Sequence, residues 1–171
     1  MHLKTSLGYA YIHNLDLVDK SKEVILFVPG AGMDHRVADL FHPNPEIYNK
    51  VISIDLPGHG GSLPSNASTI EEYADFILTC LEDLGLSDLH LCGQSMGVLV
   101  CMSLASLNRK TFKSVSIFNC QYPLFVGSAL LDDSSRNLDE AADFLTKYGI
   151  HKMPSKEKPT KAFGIKGSSY Y

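Results

Sequence analysis

The chain has 171 residues, 44% hydrophobic and 20% charged, with 13 Gly, 8 Pro, 4 Cys and no Trp, which excludes a disordered or collagen-like chain. Fifteen basic against nineteen acidic side chains give a net charge of −4, so no overall basic field points to nucleic acid. The longest apolar runs, such as 24–28, fall far short of the roughly 20 residues that span a bilayer. Residues 1–6, Met-His-Leu-Lys-Thr-Ser, lack the apolar stretch and small-residue cleavage site of a secretory signal. The expectation is a soluble, cytoplasmic protein with a real core and neither a membrane nor a nucleic-acid partner.

Four runs have strand length: 24–28, 51–54, 89–92 and 115–118. The first two are almost continuously apolar or β-branched, as in strands covered on both faces. Before them, residues 7–17 alternate loosely and read as an antiparallel leading hairpin. Between the strand runs, Ile70, Tyr73, Ala74, Ile77, Leu78, Leu81 and Leu84 follow the i, i+3, i+4, i+7 spacing of an amphipathic helix. Ser68 and Glu71 have capping-box spacing at its start, and Gly85 offers a left-handed stop. Residues 98–107 are apolar nearly all round, which predicts a helix buried inside a layered fold. A further helix is predicted over 138–148, with Asn137 and Glu140 at cap spacing and Gly149 beyond its end. Strands alternating with helices argue for an α/β class, a mostly parallel sheet flanked by helices.

Cys80, Cys92, Cys101 and Cys120 show no C-x-x-C spacing and lie in apolar surroundings, so they read as reduced, buried thiols rather than as disulfides or a zinc site. No cofactor or metal is expected. Charge shifts along the chain: residues 1–150 carry 10 basic and 18 acidic side chains, a net of −8, whereas 151–171 carry 5 and 1, a net of +4.

In open α/β sheets, reactive groups gather at the carboxyl ends of the strands, and three turns stand there. Gly93-Gln94-Ser95-Met96-Gly97 follows the strand at 89–92 and opens the buried helix. This is G-x-S-x-G in the strand–turn–helix context of a nucleophile elbow. The glycines two residues to either side leave room for a strained turn that lifts Ser95 Oγ above the sheet, with the helix N-terminus behind it favouring developing negative charge. Pro29-Gly30-Ala31-Gly32-Met33-Asp34 follows the first core strand, and its backbone amides are free to donate. The Ala31 and Met96 N–H groups are the expected oxyanion pair. The third turn, Asp55-Leu56-Pro57-Gly58-His59-Gly60-Gly61-Ser62, is read as structural.

These three turns, in this order and spacing, resemble the signature turns of the α/β-hydrolase superfamily over roughly residues 20 to 120. The likeness is strongest to small bacterial carboxylesterases of the pimeloyl-acyl-carrier-protein methyl ester esterase type. The resemblance implies ester hydrolysis through an acyl-enzyme on Ser95. The sequence departs from the family at Pro29, where the family usually has His.

A serine hydroxyl needs a base oriented by an acid, and the superfamily order is Ser, then Asp or Glu, then His. After Ser95 the only histidine is His151, in a basic, Pro-containing segment with no strand before it. His13, His35, His42, His59 and His90 precede the nucleophile, and Asp132 and Asp133 read as solvated. Neither base nor acid is assigned. The expectation is therefore residues 1–120 as the N-terminal part of a hydrolase core and 121–171 as the start of a helical cap. The C-terminal strands would be absent, 115–118 would form an edge prone to self-association, and the 171-residue chain by itself is expected to be marginally stable and weakly active at best.

Two other readings compete. A dinucleotide-binding domain would use Gly30-Ala31-Gly32 with Asp55, but His35 stands where a third small residue belongs, and two prolines interrupt 39–45. A non-catalytic binding protein on a hydrolase scaffold fits the missing base and acid. As partners, a small-molecule ester is expected, or an ester carried on acyl carrier protein, whose acidic surface Lys152, Lys156, Lys158, Lys161 and Lys166 would attract.

Overall fold

The computed structural model describes residues 1–19, 21–63, 67–107, 112–121, 123–137, 139–141 and 143–144. A hairpin opens the chain: β1 (His2–Thr5) and β2 (Gly8–His13) are antiparallel, with Thr5 opposite Gly8. It begins earlier than the alternation at 7–17 suggests, because Thr5 Oγ1 accepts from the Leu7 N–H (3.1 Å) and closes the turn there. Residues 15–17 form a single 3₁₀ turn instead of strand.

The core strands are β3 (Ile25–Val28), β4 (Ile52–Ile54), β5 (Leu89–Gln94) and β6 (Phe112–Phe118), within one sheet of order β1-β2-β4-β3-β5-β6. β4, β3, β5 and β6 are parallel, and β2 joins β4 antiparallel. The expected mostly parallel α/β sheet is thus present, with the hairpin as its antiparallel margin. Residues alternate across it. Leu26, Val28, Leu89 and Leu91 face α1 (Ile70–Leu84) and α2 (Met96–Leu107), whereas Phe27 and Cys92 face a 3₁₀ helix at His35–Leu40 through Val37 and Ala38.

The start of α1 lies one residue later than expected. Thr69, not Ser68, is the N-cap: its side chain accepts from the Glu72 N–H (3.2 Å), and the Glu72 carboxylate accepts from the Thr69 N–H (3.0 Å). This register also lets the same carboxylate take the Ser68 N–H at 2.6 Å, so one side chain satisfies two backbone donors. Those two amides hold the Glu72 carboxyl below its ordinary range. Because its folded-state pKa is depressed, its contribution is present above the ordinary Glu range and is lost as pH falls through the folded value. Thr69→Ala is expected to lower stability by about 1 kcal/mol in urea unfolding at pH 7. Gly85 ends α1 at φ 62°, as its position suggests.

Helix α2 is apolar all round but covered on one side only among the described residues. Val98, Val100, Cys101 and Leu104 are buried, whereas Met102 and Leu107 are exposed. Beyond β6 lies α3 (Ser128–Arg136), an element the apolar periodicity did not reveal. Residues 139–141 and 143–144 are helical, and the remainder of the helix expected over 138–148 lies outside the described residues. β6 is the last strand of the sheet, and Val115, Ile117 and Phe118 are exposed along it. No helix among the described residues is long and apolar enough to cross a membrane.

All four cysteines are unpaired thiols. Cys80, Cys92 and Cys101 are buried, and Cys120 is half-buried rather than buried. Burial pushes the Cys80 thiol up to about 12 and the Cys92 thiol to about 11, and raises Cys101 as well. Native protein treated with iodoacetamide at pH 8 is therefore expected to be alkylated at Cys120 alone, as peptide mass mapping would show. Alkylation of Cys80 at a similar rate would contradict this burial.

Candidate active site

The turn after β5 has the geometry that its sequence pattern demands. Ser95 sits at φ 52°, a left-handed conformation that costs a non-glycine residue of order 1 kcal/mol or more. It is held there from both sides: its N–H donates to the Phe118 carbonyl of β6 (3.0 Å), and its carbonyl accepts from the Val98 N–H (3.0 Å). The flanking glycines are steric necessities. A Cβ on Gly93 would come within 2.7 Å of the Gly97 carbonyl oxygen and of Val98 Cα, and one on Gly97 would lie 2.1 Å from the Val28 carbonyl oxygen. Helix α2 therefore starts in backbone contact with the end of β3. Its first amide, at Met96, has no acceptor within the helix.

The turn after β3 lies against this elbow. A Cβ on Gly30 would meet Ser95 Cβ at 3.2 Å and Ser95 Oγ at 3.7 Å, so the two turns touch at Gly30. The Met33 N–H closes a turn onto the Gly30 carbonyl (3.2 Å), with Gly32 at φ 72° in its third position. Ala31 is central in that turn, and among the described residues its N–H donates to no carbonyl. Asp34 then caps the 3₁₀ helix by accepting from the Arg36 N–H (3.0 Å) and binds the Arg36 guanidinium (2.9 Å).

The turn after β4 wraps a buried carboxylate. Asp55 is fully buried and accepts from the His35 N–H (2.7 Å), from His35 Nδ1 (2.9 and 3.1 Å) and from the Gly61 N–H (2.7 Å). Gly60, at φ 52°, runs so close to Asp55 that a Cβ there would fall 1.9 Å from Oδ2. Ser62 Oγ donates to the Asp55 carbonyl (2.6 Å) and accepts from the Tyr11 N–H (2.9 Å), which locks the turn to the hairpin. His35 and Asp55 are far apart in the chain, and sequence reasoning did not pair them.

This arrangement disfavours a dinucleotide site. The turn at Gly30–Gly32 leads into a 3₁₀ helix, not into the amino end of an α-helix that could receive a pyrophosphate. Asp55, which would have to reach a ribose, is spent on His35 and Gly61.

Among the described residues no imidazole hydrogen-bonds to Ser95. His13 is bound to Asp39 (3.0 Å), and His59 Nδ1 donates to the Pro57 carbonyl (3.1 Å). His90 lies at the amino end of β5, bonded to Ser114 Oγ (2.8 Å) and more loosely to Glu23 (3.3 Å). The Lys113 ammonium shares Glu23 at 2.6 Å and holds its carboxyl below the ordinary range. That cluster ties strands together at the opposite end of the sheet from Ser95. His151 and Lys152, Lys156, Lys158, Lys161 and Lys166 lie outside the described residues, as does the side chain of Asp133. Gln94 Oε1, within the elbow, is buried without a hydrogen-bond partner among the described residues. Nor do these residues gather three or more metal-binding side chains.

A mostly parallel sheet with a strained serine turn between β5 and α2 defines the class: the chain belongs to the alpha/beta hydrolase family, which matches it over residues 25–161. Among characterised proteins it is 30% identical over 104 residues to (E)-2-((N-methylformamido)methylene)succinate hydrolase of Acinetobacter baylyi, a match covering 58% of this chain and 38% of that protein. It is 27% identical over 95 residues to 3-oxoadipate enol-lactonase 1 of the same organism, covering 56% of this chain and 36% of that protein. Among solved structures, a bacterial membrane phospholipase A superposes with a TM-score of 0.74 at 22% identity, over 95% of this chain and 55% of the other. The matches thus span little more than a third of these two characterised relatives.

Proposed function

We propose that this chain carries the nucleophile of a serine hydrolase that cleaves carboxylic esters through an acyl-enzyme on Ser95. The observation that carries the reading is the left-handed Ser95 at φ 52°, wedged between two glycines that have no room for a side chain. Asn14, Asp88 and Asn119 also have positive φ, but Asn and Asp enter that region readily, whereas a serine enters it at a cost that a reactive position explains. In the reaction, Ser95 Oγ attacks the ester carbonyl while its proton passes to a base. The tetrahedral oxyanion is received by the Ala31 and Met96 amides, a reading supported by the contact of their two turns at Gly30. Collapse expels the alcohol, and water then releases the acid. Relatives that bear the names hydrolase and enol-lactonase support an acyl substrate, since a lactone is a cyclic ester. The base and its acid partner are not assigned, since no imidazole among the described residues reaches Ser95.

The test is labelling of the folded protein with a fluorophosphonate, read by intact mass. Such probes react fast only with a serine that a base has activated. One adduct is expected, lost in Ser95→Ala. Folded protein that labels no faster than the variant would overturn the reading and favour a binding protein on the same scaffold.

A further inference from the structure

We infer that His35 and Asp55 form a latch that positions the Ala31 amide for the reaction proposed above, on which this inference rests. The turn carrying Ala31 is fastened at two ends. At its start, Gly30 abuts Ser95 and the Gln94 carbonyl oxygen, with 3.2 Å left for any added Cβ. At its far end, His35 is bound twice by Asp55, through its backbone N–H at 2.7 Å and through Nδ1 at 2.9 Å. Between these points the chain makes one tight turn, Gly30 to Met33, and the extended cap residue Asp34. A shift of His35 is therefore passed to Ala31 over four residues with little slack.

The anchor is rigid. Asp55 has no exposure, and its donors are the N–H and Nδ1 of His35 and the Gly61 N–H, so its carboxylate is held by the two turns it joins. The His35 ring is in turn packed on Tyr11 (centroids 4.5 Å apart) and His13 (4.8 Å), whose Nε2 is bound to Asp39 on the same 3₁₀ helix. A buried carboxylate so fully committed to one neighbouring loop stabilises the fold, but a hydrophobic plug would do that as well. What the charged, bidentate contact adds is a fixed position for the oxyanion turn. The contribution falls on the transition state alone, because an amide misplaced by half an ångström or so still tolerates a neutral carbonyl while serving an oxyanion poorly.

The pair of variants that tests this is His35→Phe, which keeps the ring on Tyr11 and the backbone N–H but removes the side-chain donor, and His35→Asn, which keeps a side-chain donor for Asp55. For a small ester, His35→Phe is expected to lower kcat about 10- to 100-fold with KM within twofold, and His35→Asn to recover most of the loss. Amide hydrogen exchange of peptides covering 30–36 is expected to speed up at least tenfold in His35→Phe and to stay near wild type in His35→Asn. Equal kcat in wild type and His35→Phe, a loss confined to KM, or unchanged exchange at 30–36 would each overturn the latch. If Ser95→Ala hydrolyses the ester as well as wild type does, the serine-hydrolase reading falls instead. The exchange arm, which needs no turnover, then decides whether the latch holds the turn.

Discussion

Replacing Ser95 by glycine is expected to make the protein more stable while removing the ester turnover proposed for it. The residue occupies φ 52°, a region glycine enters freely and a serine enters at a cost of order 1–3 kcal/mol. Part of that gain is offset by glycine's larger freedom in the unfolded chain, so the net effect should be up to about 1 kcal/mol of added stability. Ser95→Ala is the necessary companion. It keeps the Cβ and hence the strain, and it should unfold in urea at the wild-type midpoint. Both variants lack the hydroxyl and should lose at least about 10³-fold in turnover. The comparison separates two properties that the elbow combines: alanine reads the nucleophile, and glycine minus alanine reads the strain. A glycine variant no more stable than the alanine variant would mean that the turn stores nothing. An alanine variant that still hydrolyses esters would mean that the nucleophile lies elsewhere.

The parts of this site that could be read from the sequence are those made by neighbours in the chain. Gly93, Ser95 and Gly97 lie within five residues, so their pattern between an apolar strand and an apolar helix already carries the steric logic of the turn. The parallel order of β4, β3, β5 and β6 follows from alternating strand and helix patterns and the right-handed connections they require. What could not be read depends on partners distant in the chain or on near-equivalent local choices. Asp55 and His35 are twenty residues apart and meet only because β3 and β4 are neighbours; nothing local in Asp-Leu-Pro-Gly-His-Gly-Gly-Ser names that partner. The N-cap of α1 was a choice between Ser68 with Glu71 and Thr69 with Glu72, pairs of equal spacing. The second wins because Glu72 then collects two amides. Helix α3 leaves no periodic signal in the sequence because Ser128–Arg136 holds few apolar residues and no sustained stripe to mark a buried face. The all-round apolarity of α2 overstated its burial, since composition cannot say how many sides of a helix are covered.

The second large effect is expected at Gly97, where one added methyl group should disable the elbow and weaken the fold together. An alanine Cβ there would sit 2.1 Å from the Val28 carbonyl oxygen and 2.7 Å from that of Pro29. Both are backbone atoms. Val28 is the last residue of β3, hydrogen-bonded in the middle of the sheet, so the clash cannot be relieved by turning a side chain. The helix must retreat instead, and α2 begins at Met96, so the retreat carries with it the Met96 amide and the backbone that holds Ser95. It also opens the packing of Val100, Cys101 and Leu104 against the sheet. Overpacking against rigid backbone at a helix–strand contact costs about 3 kcal/mol or more, a large share of the stability of a domain this size. Gly97→Ala is therefore expected to shift the urea midpoint strongly downward, and whatever folded fraction remains should react slowly with a fluorophosphonate. Gly127→Ala is the control, because a Cβ there meets nothing within 4 Å, and it should match wild type in both measurements. A Gly97→Ala protein with wild-type stability and labelling would show that β3 and α2 do not approach as closely as the elbow requires, and the assignment of Ser95 would lose its steric basis.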